Sequence, residues 1–198
     1  MPWSSPSGTI DGLAPVTRVS GRYYPPFHTN TPGTVAAVID RAYAAPFFVG
    51  RAGAVIRGMQ VRSGTTGASL LKLGIYSTVA GRPAILLANN NASPLSTPTI
   101  NTDYAFDFAS DLTVGEGMYW SALLANTTNI YNGLATTEMG VSNILGGTTY
   151  AVTFGGSGNS TGESYYSAGL YTSGLPADLT GLSALYVGGM PAAIMRER

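Results

Sequence analysis

Few residues of this chain could carry out chemistry, and the single histidine is the first of them. His28 lies in a proline-containing stretch, residues 25–30, with no acidic neighbour in sequence. A general base needs a group that orients its imidazole and a nucleophile within hydrogen-bonding distance. The chain has no cysteine and no nucleophile-elbow, phosphate-loop or zinc-protease motif. We therefore expect His28 to be a surface or interface residue, and we predict no catalytic residue, no cofactor and no metal site.

Pairs of carboxylates are the second candidate chemistry. Asp103 and Asp107 share one face of a predicted strand, but four residues separate them by about 13 Å. That separation exceeds the carboxylate spacing of either glycosidase mechanism, so a polysaccharide-degrading enzyme is only a minor alternative. Asp107 and Asp111 flank a predicted turn and could hold Ca²⁺ together with backbone carbonyls. The segment lacks the Asp/Asn/Gly pattern of a calcium loop, so a solvated strand face ending in an Asx turn is the preferred interpretation.

Carbohydrate recognition is a third candidate, because polar loops lie close to tyrosines in the sequence. Aromatic faces stack on sugar rings while amide and hydroxyl groups hydrogen-bond the sugar hydroxyls. The candidate glycan contacts are Tyr131, Asn132, Tyr165 and Tyr166. The competing and favoured interpretation is that the tyrosines fill a sandwich core or a subunit interface. Three Asn-x-Ser/Thr sequons, at Asn91, Asn126 and Asn159, are interpreted as polar loops.

The charge composition argues against nucleic acid and anionic membranes as partners. Charged residues make up 10% of the 198-residue chain, with ten bases balancing ten acids, against about 25% in an average domain. Such a chain has no net field to attract nucleic acid or an anionic membrane. The charge is uneven along the sequence: residues 12–102 hold eight bases and one acid, Asp40, whereas residues 103–195 hold seven acids and no base. The halves could pair within one subunit or across a subunit boundary, or the asymmetry could be ordinary surface charge.

The elements that must position these residues are predicted to be strands. Short runs with alternating apolar residues are separated by Gly-, Pro- and Asn-rich turns, and we find no capped amphipathic helix of ten residues or more. We predict an extended N-terminal arm over residues 1–33 and a single antiparallel β-sandwich domain over 34–198, with a loop-rich C-terminal part. The predicted strands are 42–49, 55–62, 69–77, 84–88, 103–108 and 118–125, with weaker candidates at 148–154, 164–171 and 183–187. Residues 111–117 are predicted to form a turn.

Alternation within three predicted strands assigns their faces. In 69–77, Leu71, Leu73 and Ile75 face one way while Leu70, Lys72, Gly74 and Tyr76 face the other. In 103–108 the aromatic residues point inward and the aspartates outward. In 118–125 the two faces alternate, and their residues are Met118, Trp120, Ala122 and Leu124 on one side and Tyr119, Ser121, Leu123 and Ala125 on the other. Arg57 interrupts the apolar face of 55–62 and leaves the register of that strand open.

A series of motifs resembles a family of tailed-bacteriophage virion proteins, of the tail-fibre, minor tail or head-appendage type. The motifs run in order from residue 21 to residue 177 and are GRYYP at 21–25, AYAAPFFV at 42–49, LGIY at 73–76, GRP at 81–83, MYWSALL at 118–124 and GLPA at 174–177. The resemblance implies a β-sandwich of jelly-roll type, displayed on a phage or phage-like particle and often oligomeric, with a trimer favoured. It implies no catalytic residues.

We therefore expect a structural virion protein of the tail-fibre, head-fibre or decoration type, which assembles with other virion proteins and is not an enzyme. The alternative is a module that binds a host-surface polysaccharide. The N-terminus lacks the features of a secretory signal and no apolar run is long enough for a membrane helix, so we expect synthesis in the bacterial cytoplasm and localisation in the virion. The arm is expected to dock on a neighbouring chain, and its candidate assembly contacts are Trp3, Arg22, Tyr23, Tyr24 and Phe27.

Overall fold

The computed structural model describes residues 23–24, 33–50, 52–64, 68–134, 162–182, 184–187, 190–191 and 193–197. In this part of the chain, short extended runs dominate and the one helix has four residues. The elements are β1 Tyr23–Tyr24, β2 Gly33–Ala37, β3 Arg41–Val49, β4 Ala54–Arg62, β5 Ser69–Val79, β6 Arg82–Asn89, β7 Leu95–Thr97, β8 Asp103–Val114, β9 Gly117–Ala125, β10 Asn129–Leu134, β11 Gly162–Tyr166, α1 Leu170–Ser173, β12 Ala184–Val187, β13 Met190–Pro191 and β14 Ile194–Glu197.

The strands form three antiparallel sheets. The largest has the order β12-β11-β3-β9-β5-β6, with β7 paired to β5. A four-stranded sheet has the order β1-β14-β4-β8, and a three-stranded sheet has the order β13-β10-β2. The protein is therefore an all-β antiparallel sandwich, as the alternation predicted. Jelly-roll connectivity and the domain boundary at residue 34 stay predictions.

Two apolar cores lie on opposite faces of the large sheet. The first contains Leu71, Leu73 and Ile75 of β5 together with Ile56 and Met59 of β4, so it joins the large sheet to the four-stranded one. The second contains residues of the other face of the sheet, including Tyr76, Trp120 and Leu124, packed under Leu170, Leu175 and Leu179. Both faces of β9 are buried in this way, because Trp120 and Leu124 lie in the second core while Leu123 lies in the first.

Most strand predictions agree with the structure to within two residues at the ends. Two need correction. Residues 111–114 belong to β8 and are not a turn, because pairing with β4 resumes at Leu112 opposite Ile56 after a register shift. Residues 164–171 do not form one strand, because β11 ends at Tyr166 and α1 begins at Leu170. The candidate at 148–154 lies outside the described residues.

Apart from Gly33, which begins β2, the described part of the N-terminal arm is the two-residue strand β1. Tyr23 and Tyr24 pair with Arg196 and Met195 of β14 in the same chain. The arm therefore joins the four-stranded sheet at the edge opposite β8. Residues 1–22 and 25–32 lie outside the described residues, so docking of the arm on a neighbouring chain stays a prediction.

Candidate functional site

The outer face of β4 and β8 carries ion pairs between the basic and acidic halves of the sequence. Arg62 and Asp103 are directly opposite each other in the antiparallel register, and Arg62 Nη1 donates to Asp103 Oδ1 at 2.9 Å. Cross-strand pairs of opposite charge are a normal source of sheet stability. This contact joins an arginine of the basic half to an aspartate of the acidic half within one chain.

A second, larger cluster forms where the β4–β8 register shifts. Arg57 sits at the irregularity between Ile56 and Gly58, so its side chain turns outward and Arg57 Nε donates to Asp107 Oδ2 at 3.2 Å. Arg196 of β14 donates to the other carboxylate oxygen of Asp107. Asp107 thus bridges two strands that are not sequence neighbours. The shift also explains why Arg57 interrupts the apolar pattern of β4.

Gly58 makes this cluster possible. A Cβ atom at Gly58 would lie 2.0 Å from the Phe106 carbonyl oxygen and 2.9 Å from Asp107 Cα. Any other residue would therefore force the two backbones apart. The close approach of β4 and β8 at this point holds Asp107 within reach of Arg57.

A concavity of about 360 Å³ opens beside the cluster, lined by Arg57 and residues 107–111. It is polar and open to solvent. Asp107 and Asp111, the pair for which calcium was the less favoured interpretation, both line it, and two arginines already engage the Asp107 carboxylate. Among the described residues no group of three or more His, Cys, Asp or Glu side chains could hold a metal ion. A concavity this polar and open to solvent does not enclose a small molecule.

The second face of the large sheet is covered by residues 167–182, here called the strap. The Asp40 carboxylate holds the N-terminal end of the strap. The backbone N–H groups of Gly169 and Tyr171 donate to Asp40 Oδ2 and Oδ1 at 3.0 and 2.9 Å. Asp40 itself has φ 59° in the turn between β2 and β3, a conformation that Asp tolerates better than most residues. The single acid of the basic half is therefore a structural cap on α1.

Other side chains fasten the strap further along. Asn91 donates to the Leu175 carbonyl at 3.0 Å and accepts from the Leu175 N–H at 2.9 Å, so its amide replaces a missing strand neighbour. Tyr76 Oη donates to the Pro176 carbonyl at 2.8 Å. Burial, reinforced by Tyr165, raises the pKa of the Tyr76 phenol well above its ordinary value of 10.0. The phenol therefore stays protonated and keeps donating to the strap.

Lys72, the only lysine in the sequence, is also part of this attachment. It is 7% exposed, and its Nζ donates to the Tyr171 carbonyl at 2.6 Å and lies 4.6 Å from the centroid of the Tyr171 ring. A carbonyl and an aromatic face together stabilise a buried ammonium group. Lys72 is therefore a structural residue under the strap.

The predicted glycan contacts are corrected at two positions. Tyr131 and Tyr165 are fully buried within one chain, and Tyr131 Oη lies 3.4 Å from Thr97 Oγ1. Neither ring has a face available to stack on a sugar, because sandwich packing takes up both. Asn132 is partly buried in β10, and Tyr166 lies at the end of β11. The tyrosines at 131 and 165 belong to the core, as the favoured interpretation held.

The structure describes only part of the predicted assembly set. Tyr23 and Tyr24 form β1, whereas Trp3, Arg22 and Phe27 lie outside the described residues, as does His28. Pairing of β1 with β14 uses the backbone of the same chain. The contacts expected of Trp3, Arg22 and Phe27 stay predictions.

Sequence reasoning missed the residues that hold the strap. Asp40, Lys72 and Asn91 contact backbone atoms 84 to 131 residues away in the chain. No local motif signals such contacts. The only hint was that Asp40 is isolated among basic residues.

The described residues contain no helix with the length and apolarity needed to cross a membrane. Comparison of the sequence with models of protein families and with curated proteins gives no match in either case.

Proposed function

We propose that this protein is a structural component of a bacteriophage or phage-like particle, of the tail-fibre, head-fibre or decoration type, and that it acts by protein–protein assembly. The motif series at residues 21–177 supports the phage assignment. The observation that carries the assembly role is the exposure of large aliphatic side chains along the edge of the large sheet.

That edge is formed by β6 and the end of β5. Ile85 and Leu87 alternate along β6 and are 46% and 38% exposed, and Val79 near the β5–β6 turn is 56% exposed. Exposed aliphatic side chains on a sheet edge favour association with another chain, and soluble monomers usually avoid them. We define Val79, Ile85 and Leu87 as the β6 apolar edge.

The backbone of this edge is already partly covered. Leu86 N–H donates to the Ala177 carbonyl and Leu179 N–H donates to the Ala84 carbonyl, both at 2.9 Å. The strap therefore occupies hydrogen-bonding groups of β6, and the edge presents its side chains instead. Contacts made through side chains suit a lateral packing interface better than the addition of a strand.

The charged face does not oppose such packing. The arginines of β4 and β14 neutralise Asp103 and Asp107 within the chain, so little net charge must be desolvated when subunits approach. The apolar edge and the neutralised face together support an assembly role.

Mass spectrometry of purified particles tests this function. Particles released from cells that carry the gene are separated from free protein on a density gradient, and the protein is expected at a constant ratio to the major structural proteins. Its presence only in the free-protein fraction would overturn the proposal.

A matched pair of variants then tests the β6 apolar edge. Ile85→Ser/Leu87→Ser is expected to lower incorporation into particles, whereas Ile39→Ser/Ile100→Ser, which alters two exposed isoleucines in turns, is expected to incorporate normally. Equal incorporation of both would remove the edge from the proposal.

Carbohydrate recognition is not adopted as the conclusion, because Tyr131 and Tyr165 are buried. A glycan array probed with the full chain distinguishes the two functions. Specific binding to a bacterial polysaccharide, together with absence from particles, would replace the assembly role with the recognition role.

A further inference from the structure

The middle of the strap, residues 174–179, is here called the strap tip, and it is held against β6 as an added strand. Leu86 N–H donates to the Ala177 carbonyl and Leu179 N–H donates to the Ala84 carbonyl, both at 2.9 Å. Addition of an extended segment to a sheet edge through backbone hydrogen bonds is a recurring mode of peptide recognition. The strap tip is therefore bound to the sheet in the way that a separate peptide is bound.

The first residues of the strap tip fit the groups that they meet. A Cβ atom on Gly174 would lie 2.9 Å from Asn91 Cγ, so only glycine leaves room for the Asn91 amide. That amide both donates to and accepts from the backbone of Leu175. The Leu175 side chain is 3% exposed, and its Cδ1 atom would lie 2.8 Å from a Cβ atom on Gly74. Strand β5 thus receives the leucine where it has no side chain of its own.

Tyr76 completes the binding site, because its Oη donates to the Pro176 carbonyl at 2.8 Å. We call the site formed by β6, Gly74, Tyr76 and Asn91 the tip groove. Its contacts select glycine followed by leucine and then hold the backbone of the next residues.

The strap reaches the tip groove across the whole large sheet. Its two ends join β11 and β12, which lie at the opposite end of the strand order from β6. The return from Leu179 to Ala184 takes five residues, which span at most about 18 Å. Six strand spacings separate β12 from a segment added beside β6, which is about 29 Å in a flat sheet. Docking within one chain therefore requires the large sheet to curl until its edges approach each other.

We propose that the strap tip of one copy docks in the tip groove of a second copy of this chain, and that the two copies exchange straps. The inference rests on the proposed assembly function and specifies its partner and surface. Exchange keeps every contact of the tip, because the second copy has the same groove, and exchange of an identical element is a low-cost route to a dimer. It also removes the need for the short return to span a single sheet.

The neighbouring surface favours a second copy as the occupant. Val79, Ile85 and Leu87, the β6 apolar edge, stay exposed when the strap tip is docked. The tip groove and this edge share strand β6, so a copy that docks through its strap comes to lie beside the exposed aliphatic side chains. Their burial adds a gain that docking within one chain does not provide.

The strap has the hinges and the length for exchange. Gly169 and Gly174 flank α1 with φ angles of 73° and 92°, and glycine adopts either sign of φ readily. The nine residues from Tyr166 to Leu175 span up to about 32 Å, and the return of five residues spans up to about 18 Å. Packed layers lie about 10 Å apart, so both connections are long enough to cross between two copies that face each other.

Disulfide trapping tests the exchange, because the natural chain has no cysteine. Ile85 of β6 and Asp178 of the strap tip form an antiparallel bridge between the two backbone hydrogen bonds of the tip. Their Cα atoms are therefore about 4.5 Å apart, within the range of a disulfide. A chain with Ile85→Cys and a longer, tagged chain with Asp178→Cys are co-expressed, purified together and oxidised mildly. We expect a disulfide-linked heterodimer on a non-reducing gel, and its absence would overturn the proposal.

The double variant Ile85→Cys/Asp178→Cys places both thiols in one chain. Exchange is expected to link it into dimers. A disulfide confined to single chains would show that each strap tip docks in its own groove, and no disulfide would show that the tip does not dock on β6. Either result would overturn the proposal.

The matched control replaces Asp178→Cys by Thr172→Cys in the tagged chain. Thr172 is exposed on α1 of the same strap and is not opposite β6, so the control pair is expected to stay unlinked. Equal cross-linking of the two pairs would show random collision and would overturn the proposal.

A further pair of variants tests whether the tip groove directs the contact. Leu175→Asp in the tagged Asp178→Cys chain removes the side chain that packs on Gly74, so the heterodimer is expected to be lost. The partner chain keeps a natural groove in this experiment. Leu182→Asp, at a leucine of the same strap that is 38% exposed, makes the same change of charge and is expected to leave the heterodimer unchanged. Equal yields from the two variants would overturn the proposal.

Sedimentation of the natural chain is expected to show a dimer or a larger species, and a monomer would overturn the exchange. These assays use no particles. A monomeric protein that is nevertheless found in particles would reject the exchange alone, whereas linked copies that are absent from particles would reject the particle role alone.

Discussion

Replacing Gly58 with alanine is expected to destabilise the protein through the backbone contact between β4 and β8. The new Cβ would lie 2.0 Å from the Phe106 carbonyl oxygen, 2.8 Å from Asp107 Oδ1 and 2.9 Å from Asp107 Cα. Two of these three atoms belong to the backbone and cannot rotate away. The strands must therefore separate, which also pulls Asp107 away from Arg57.

Overpacking a tight site typically costs 1–3 kcal/mol, and the rigid neighbours at Gly58 place this substitution at about 3 kcal/mol. For a chain of this length each kcal/mol lowers the melting temperature by roughly 2–4 °C, so we expect a decrease of about 6–12 °C. Urea unfolding followed by circular dichroism should show a lower midpoint with little change in slope.

Gly115→Ala is the matched control, because a Cβ there has no heavy atom within 4 Å. Its stability is expected to stay within about 0.5 kcal/mol of the natural chain. If Gly58→Ala were as stable as Gly115→Ala, then β4 and β8 would not pair in the register described, and the Arg57–Asp107 contact would lose its structural basis.

Three further predictions concern the charge cluster and the strap. Asp107→Asn is expected to lower the free energy of unfolding by about 0.5–2 kcal/mol at low salt, because it removes two exposed ion pairs. A loss of unfolding free energy that is equally large in 0.5 M NaCl would contradict the ionic explanation. Asn91→Ala should cost about 1–3 kcal/mol and speed amide exchange in the strap, since it leaves the Leu175 N–H and carbonyl without their partner. Thr127→Ala, at an exposed turn position, should do neither, and equal exchange in both variants would contradict this attachment. Because the pKa of Tyr76 is raised in the folded protein, its phenol ionises from about pH 10 in the unfolded chain but not in the folded one, so the free energy of unfolding falls as pH rises through this range. Unfolding measured from pH 9 to 11 should show a shallower fall for Tyr76→Phe than for the natural chain. An identical fall would show that Tyr76 does not contribute.

The faces of the central strands could be predicted because side chains on a strand alternate regardless of what covers them. Leu71, Leu73 and Ile75 fall in one core and Tyr76 in the other, as alternation required. The end of β8 could not be predicted in the same way. The shifted register at Gly58 depends on a close approach to Phe106, and nothing in residues 108–114 alone indicates that pairing resumes.

The candidate sites depended still more on distant partners. Charge asymmetry indicated that the two halves could pair, but residue types did not say which arginine meets which aspartate. A core or interface position was the favoured interpretation for Tyr131, but its type also allowed stacking on a sugar, because a tyrosine has an apolar ring and a polar tip. Its burial beside Thr97 is decided by how the sheets pack.

The sequence by itself determined that this chain forms strands with alternating faces and carries no net charge, because periodicity and composition are local properties. The tertiary structure alone decided that Asp40, Lys72 and Asn91 fasten the strap and that Asp107 bridges Arg57 and Arg196. These contacts join atoms 50 to 131 residues apart. A hydrogen bond or ion pair forms only when folding brings its two groups within about 3 Å, and spacing along the chain does not encode that distance.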